Sequence, residues 1–199
     1  MTDAARTISG GNLETAVFAN GCFWCTEAVF SMLKGVKSVK PGYAISVDSN
    51  AEKSIGANLK GPTYEEVSVG NTGYAESIKI EYDPLIISYD DLLAVFFNTH
   101  DPTTLNRQGN DVGTQYRSAI FYSNDEQKIK AEALVKELNA SNAYEKPVVT
   151  EVKSLNKFYE AEDYHHQYYE HNKSQPYCQL IIAPKLDKLQ KKFAELIKQ

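Results

Sequence analysis

Residues 15–35 read TAVFANGCFWCTEAVFSMLKG, and this stretch decides the fold class. Its first seven residues are a short apolar run ended by Gly21, the pattern of a buried strand. The following residues place apolar side chains at helical spacing and stop at Gly35, which predicts a helix. A strand therefore hands over to a helix N-terminus, and Cys22 stands at the corner. Cys22 and Cys25 bracket Phe23 and Trp24, the chain's single tryptophan.

Strands and helices go on alternating outward from that corner. VKSVKPGYAISV is expected to form a strand, followed by a polar loop from residue 48 to about residue 62. ESIKIEYDP alternates apolar and polar residues as a half-buried strand does. SYDDLLAVFFNTH reads as a largely buried helix opened by Ser88. RSAIFYS is a further strand, and Ser123 with Glu126 forms a capping-box signature for a helix through Leu138. KPVVTEV supplies another strand, AEDYHHQYYEHN a ring-rich helix, and LDKLQKKFAELIKQ an amphipathic terminal helix. The interleaving predicts a mixed α/β fold whose sheet is covered on one face, in preference to a doubly wound parallel sheet. With no repeat and no interior linker, residues 15–199 are expected to form one domain behind a flexible tail of residues 1–14.

The 199 residues suffice for one well-buried core. A net charge of −5, with no basic run, argues against nucleic-acid or anionic-membrane partners. Nothing has the length of a signal peptide core or a membrane span. Three cysteines do not make a disulfide scaffold and suit a reducing compartment, so a cytoplasmic location is expected.

A thiol at a helix start meets the positive end of the helix dipole and unpaired N–H groups, which favour its thiolate. Cys22 is thus the natural nucleophile, and Cys25, one turn on, could attack it once oxidised. Two consecutive helix residues do not share one face, so Phe23 or Trp24 should line whatever Cys22 reacts with. Polar aromatic density gathers elsewhere: Tyr64, Tyr74 and Glu76 around glycines, and Asp111, Gln115, Tyr116 and Arg117 ahead of a strand. A buried Glu that keeps its proton, with tyrosines beside it, is suited to acid catalysis on a neutral oxygen. Other readings of C-x-x-C are a thioredoxin-like dithiol, a zinc site completed by His165, His166 or His171, and an aromatic cage for methylated cations.

The blocks GCFWCTE, PTYEEV, GNTGYAESIKIEYDP, HDPTTLNRQGNDVGTQYRSAIFY, FYEAEDYHHQYY and QPYCQLIIAPKL resemble, in order, those of the A-type peptide methionine sulfoxide reductases. The resemblance runs from about Val17 to Leu186. It implies a two-layer α/β sandwich related to the ferredoxin-like plait, with loops and the C-terminal segment wrapped round it. It also implies that Cys22 is the nucleophile and that Phe23 and Trp24 form the wall receiving the methyl group on sulfur. Glu76, Tyr64 and Tyr116 would hold and protonate the sulfoxide oxygen, with Asp111 in the same pocket. The implied cycle reduces methionine S-sulfoxide in peptides, passes through a sulfenic acid and a disulfide, and ends on reduction by thioredoxin. No metal or organic cofactor enters it, and a monomer is expected.

Three positions depart from the family pattern. Cys25 stands where many relatives have glycine, Tyr74 where histidine is usual, and the segment 48–61 is longer than the usual glycine-rich turn. Cys25 and Cys178 are both candidate resolving thiols. Cys25 is favoured for its closeness to Cys22, because QLIIAPK after Cys178 reads as a strand that would restrain it.

Overall fold

A computed structural model describes residues 12–46 and 61–198. Its order is β1 (Glu14–Asn20), α1 (Phe23–Ser31), β2 (Val36–Ile45), α2 (Tyr64–Ser68), β3 (Ala75–Tyr82) and α3 (Tyr89–Asn98), then two short strands, β4 (Arg107–Gln108) and β5 (Asp111–Val112). The chain continues through β6 (Ser118–Tyr122), α4 (Asp125–Ala140), β7 (Glu151–Ser154), β8 (Lys157–Glu160), α5 (Tyr168–His171) and α6 (Ala183–Lys192). Six strands form one mixed sheet in the order β7-β6-β1-β3-β2-β8, in which only the β6–β7 pair is parallel. Its centre, β6-β1-β3-β2, is connected as two interleaved β-α-β units, with α1 and α3 as the crossovers.

Alternation along the central strands separates two apolar layers. Phe18, Ile78, Ile80, Tyr82 and Ile120 point to the face covered by α1 and α3, where Phe30, Leu33, Leu92 and Phe96 meet them. The opposite face carries Val17, Ala19, Ala44, Ala75, Ala119 and Phe121 under Leu155 and Phe158. Most of the buried apolar area thus lies between sheet and helices, as expected. In β3 the same alternation puts Glu76 on the helix-covered face with Ile78 and Ile80, so the main core buries a carboxylate at its edge.

Local chemistry fixes most boundaries. Ser88 and Asp91 close a capping box on α3, and Thr63 with Glu66 does the same for α2. Gly21, with φ 97°, makes the strand-to-helix corner, where an added Cβ would lie 2.7 Å from Gln108. Glycine alone fits there.

Several expectations are corrected. α1 ends at Ser31, and Gly35 closes the turn after it, not the helix itself. The N-cap of α4 is Asn124, whose side chain accepts the Gln127 N–H; Ser123 instead donates its N–H to Gln127. QLIIAPK is not a strand: residues 178–182 form a helical turn running into α6. The ring-rich segment is not one helix, because Gln167 at φ 51° breaks it into a 3₁₀ turn and the short α5. The terminal helix stops at Lys192, and Ile197 bridges back to Leu33. The strand expected in KPVVTEV begins only at Glu151. Glu14, assigned to the tail, opens β1 and accepts the Tyr82 hydroxyl. The remaining tail residues 1–11 and most of the 48–61 loop lie outside the described residues. No described helix is long and apolar enough to cross a membrane.

Candidate active site

Cys22 is the N-cap residue of α1, at the open end of the strand-to-helix corner. Its carbonyl accepts the N–H groups of Cys25 and Thr26, which fixes the first turn. The N–H of Phe23 donates to Glu76 Oε2 at 3.1 Å, so a carboxyl occupies the anion-attracting end of the helix beside the thiol. This corrects the simple dipole argument. Cys22 is raised well above the ordinary thiol pKa, chiefly by burial, then by its hydrogen bond to Cys25 and by the charge of Glu76. Cys25 is lowered to about 7, first by the bond from Cys22, with Lys185 and Tyr177 helping against burial. Cys22 and Cys25 therefore titrate as a pair that loses its first proton near neutral pH.

Glu76 is 2% exposed. Burial pushes its pKa up to about 8, and the charges of Asp111 and Cys25 add to this, against the single Phe23 N–H that favours the anion. At neutral pH it is a carboxylic acid with a proton to give. Tyr64, the first residue of α2, is fixed through its N–H to Glu162 Oε1 at 2.9 Å. Tyr116 lies in the 3₁₀ turn before β6, which Arg117 ties to Gly73 and Thr114 carbonyls and Glu151. Both hydroxyls are held protonated, first by burial and next by the charge of Glu76. Two neutral phenols and one neutral acid thus meet near Cys22.

Rings cluster around the first turn of α1. Phe23 is fully buried and stacks at 24° on Tyr64, with centroids 6.5 Å apart. Trp24 lies flat on Tyr168 at 3.7 Å and 6°, and its indole N–H donates to His165 Nδ1 at 2.9 Å. A cavity of about 490 Å³ is lined by Cys22, Cys25, Gln108, Asp111, Tyr177 and Lys185, among others. Tyr177 joins Cys25 Sγ and Asp111 Oδ2, each at 3.5 Å. Cys178 lies outside this cavity: it is 0% exposed, at the start of the helical turn leading into α6.

Cys22, Cys25 and Asp111 line the cavity; Glu76 joins them through the Phe23 N–H, and Phe23 carries Tyr64 and Trp24 with it. Tyr116 lies within electrostatic reach of Glu76 and Cys22, and Cys178 packs in the same core as Cys25 without lining the cavity. Tyr74, in the place of the usual histidine, is buried and meets Tyr159 edge-on. His165, weighed as a zinc ligand, spends its accepting nitrogen on Trp24. Tyr177, Lys185 and Glu27 were not singled out from sequence. Tyr177 was within reach, since it precedes Cys178 in the quoted QPYC block.

Paired thiols beside a neutral acid and an aromatic wall are the equipment of a thiol-dependent oxidoreductase. The family model for peptide methionine sulfoxide reductase matches residues 14–197. The peptide methionine sulfoxide reductase MsrA of Saccharolobus solfataricus is 50% identical over 186 residues, 94% of this chain and 98% of that protein. Reduced Mxr1 from Saccharomyces cerevisiae shares the fold with a TM-score of 0.73 at 30% identity, over 87% of this chain and 94% of that one. Mxr1 in complex with Trx2 aligns with a TM-score of 0.51 at 21% identity, over 82% of this chain and 91% of that one, a likeness of fold alone. The chain belongs to the peptide methionine sulfoxide reductase family.

Proposed function

We propose that the protein reduces methionine S-sulfoxide in peptides, with Cys22 as nucleophile and Glu76 as acid. The observation that carries this reading is the buried Glu76 carboxyl held next to Cys22 by the Phe23 N–H, where burial pushes its pKa up to about 8. Methionine sulfoxide carries one soft methyl and one strongly polar S=O. Phe23 and Trp24 take the methyl; Glu76, Tyr64 and Tyr116 take the oxygen, and Asp111 bounds the pocket beyond them.

The thiol pair shares one proton; Cys22 attacks the sulfoxide sulfur as thiolate with that proton left on Cys25, and Glu76 protonates the oxygen. The substrate S–O bond breaks, an oxygen bond to Cys22 sulfur forms, and two electrons pass from Cys22 to the substrate. Methionine leaves, with Cys22 as sulfenic acid, Cys25 as thiol and Glu76 as carboxylate. Cys25 sulfur then displaces the hydroxyl from Cys22; its proton and that hydroxyl leave as water, and the two cysteines are joined as a disulfide. A dithiol protein reduces this disulfide. Thioredoxin is the proposed donor, the yeast relative Mxr1 having been solved in complex with Trx2. A reducing compartment such as the cytoplasm suits three free thiols.

Selection between epimers follows from a two-sided pocket. With the methyl on the rings and the oxygen on Glu76 and the tyrosines, only one hand turns sulfur toward Cys22, and the likeness to the family assigns it to the S-epimer. Chiral chromatography after reaction with a racemic Met(O) peptide is expected to leave the R-epimer; residual S-epimer overturns the assignment.

Cys25 is proposed as the resolving thiol because it lines the same cavity as Cys22 and lies one helical turn away. Cys178 is buried beside Cys25 in the core but does not line the cavity, and burial, then the Cys25 charge, raises its pKa. One equivalent of sulfoxide should consume two thiols in wild type and in Cys178→Ser, but one in Cys25→Ser. Two thiols lost in Cys25→Ser, with a stable sulfenic acid in Cys178→Ser, assign the role to Cys178 instead.

A further inference from the structure

Glu27 is a buried carboxyl that the reaction above does not use. It lies one turn beyond Trp24 on α1, so the two side chains share a face. Its Oε1 accepts the N–H of Gln167 at 2.8 Å. The backbone N–H of Tyr168 also binds this carboxyl, and both bonds favour its charged form against burial, the dominant influence, which raises its pKa. Gln167 has φ 51°, a left-handed backbone that a residue with a Cβ adopts only when something holds it. That turn carries the Tyr168 ring onto Trp24.

We infer that Glu27 is a positioning residue for substrate binding: through the Gln167–Tyr168 turn it clamps the Trp24 wall from behind. Trp24 is then fixed on two sides, by the stacked Tyr168 and by His165 at its indole nitrogen. The clamp sets how well the substrate methyl is received and leaves the chemistry at Cys22 alone. This inference rests on Trp24 lining the substrate pocket.

As the only tryptophan, Trp24 reports on its own surroundings. In Glu27→Ala, its emission should shift and its near-ultraviolet circular dichroism weaken. KM for a Met(O) peptide should rise roughly 5- to 10-fold, the scale of one lost aromatic stack, with the rate of Cys22 oxidation at saturation within about threefold of wild type. Glu27→Gln keeps the accepting oxygen and should match wild type in both readouts. Glycine adopts positive φ freely, so Gln167→Gly added to Glu27→Ala should bring KM and the spectrum back toward wild type.

An unchanged Trp24 spectrum in Glu27→Ala, or no recovery in the double variant, overturns the clamp. A changed spectrum with unchanged KM overturns the wall reading of Trp24 instead, and this role with it. Should Glu27→Ala not fold, Glu27→Gln decides: a raised KM in that variant is incompatible with a role exercised through an accepting oxygen.

Discussion

Cys22→Ser is expected to reduce methionine formation below detection, in single turnover and at every concentration of dithiothreitol or thioredoxin. A hydroxyl in place of the thiol is a far weaker nucleophile and has no accessible sulfenic acid state, so the two electrons have no source. The loss should not come from unfolding. Cys22 is the N-cap of α1 and makes no side-chain capping bond, whereas serine is among the preferred N-cap residues. Thermal stability should therefore hold, or rise by up to ~1 kcal/mol. Cys25→Ser makes the contrasting case: Cys22 remains to yield one methionine per chain before the cycle stalls. Yield per chain thus separates the first oxidation from its resolution, while the rate of that first step should fall in Cys25→Ser, which has lost the group that keeps the Cys22 proton. Appreciable methionine from Cys22→Ser, at a rate independent of protein impurities, removes Cys22 from the mechanism.

The corner at residues 15–35 was legible because its turn glycine and its apolar spacing are both local. So were the strands through Lys79 and Ile120 and the Ser88 cap, where pattern and propensity agree. The segment around Gln167 was not. Its apolar and ring spacing is helical, and the break comes from a left-handed residue held by Glu27, which is 140 positions away in sequence. QLIIAPK failed for a related reason: a short apolar run does not distinguish a buried strand from a buried helical turn. At the site, the gathering of Cys22, Glu76, Tyr64, Tyr116 and Asp111 was anticipated through the family blocks, since nothing local brings residues 22, 76 and 116 together. The dipole argument for Cys22 erred chiefly because it left out burial of the thiol, and after that the Cys25 neighbour and the carboxyl that takes the Phe23 N–H. Only the fold reveals that Glu76 Oε2 sits there.

That carboxyl carries the second large effect. Glu76→Gln keeps a hydrogen-bond donor for the sulfoxide oxygen but has no proton to surrender. Substrate affinity should change little, while Cys22 oxidation slows by roughly 10²–10⁴-fold, the scale of a lost general acid. The pH dependence follows from the raised pKa. Glu76 is protonated below about 8, so the acid-catalysed rate in wild type should fall as pH rises through that value, and the variant should lack this limb. Stability moves in the opposite sense. Between the ordinary carboxyl pKa of 4.5 and about 8, the native state holds a proton that the unfolded chain has released. Native stability is therefore lost as pH rises through this window and levels off above it. Glutamine has no such proton. Its advantage over wild type should grow across the same window, to a few kcal/mol at most. Cys25, lowered to about 7, gives the opposite slope between about 7 and the ordinary thiol value of 9, but its contribution is shared by both proteins and largely cancels in the comparison. Denaturant midpoints at pH 5 and pH 8.5, read beside stopped-flow rates of Cys22 oxidation, test both halves together. A slow, stabilised variant means that the site keeps a proton where folding alone would not. A variant as fast as wild type removes Glu76 as the acid, and one whose stability advantage over wild type does not grow between pH 5 and pH 8.5 means that Glu76 is ionised in the native protein.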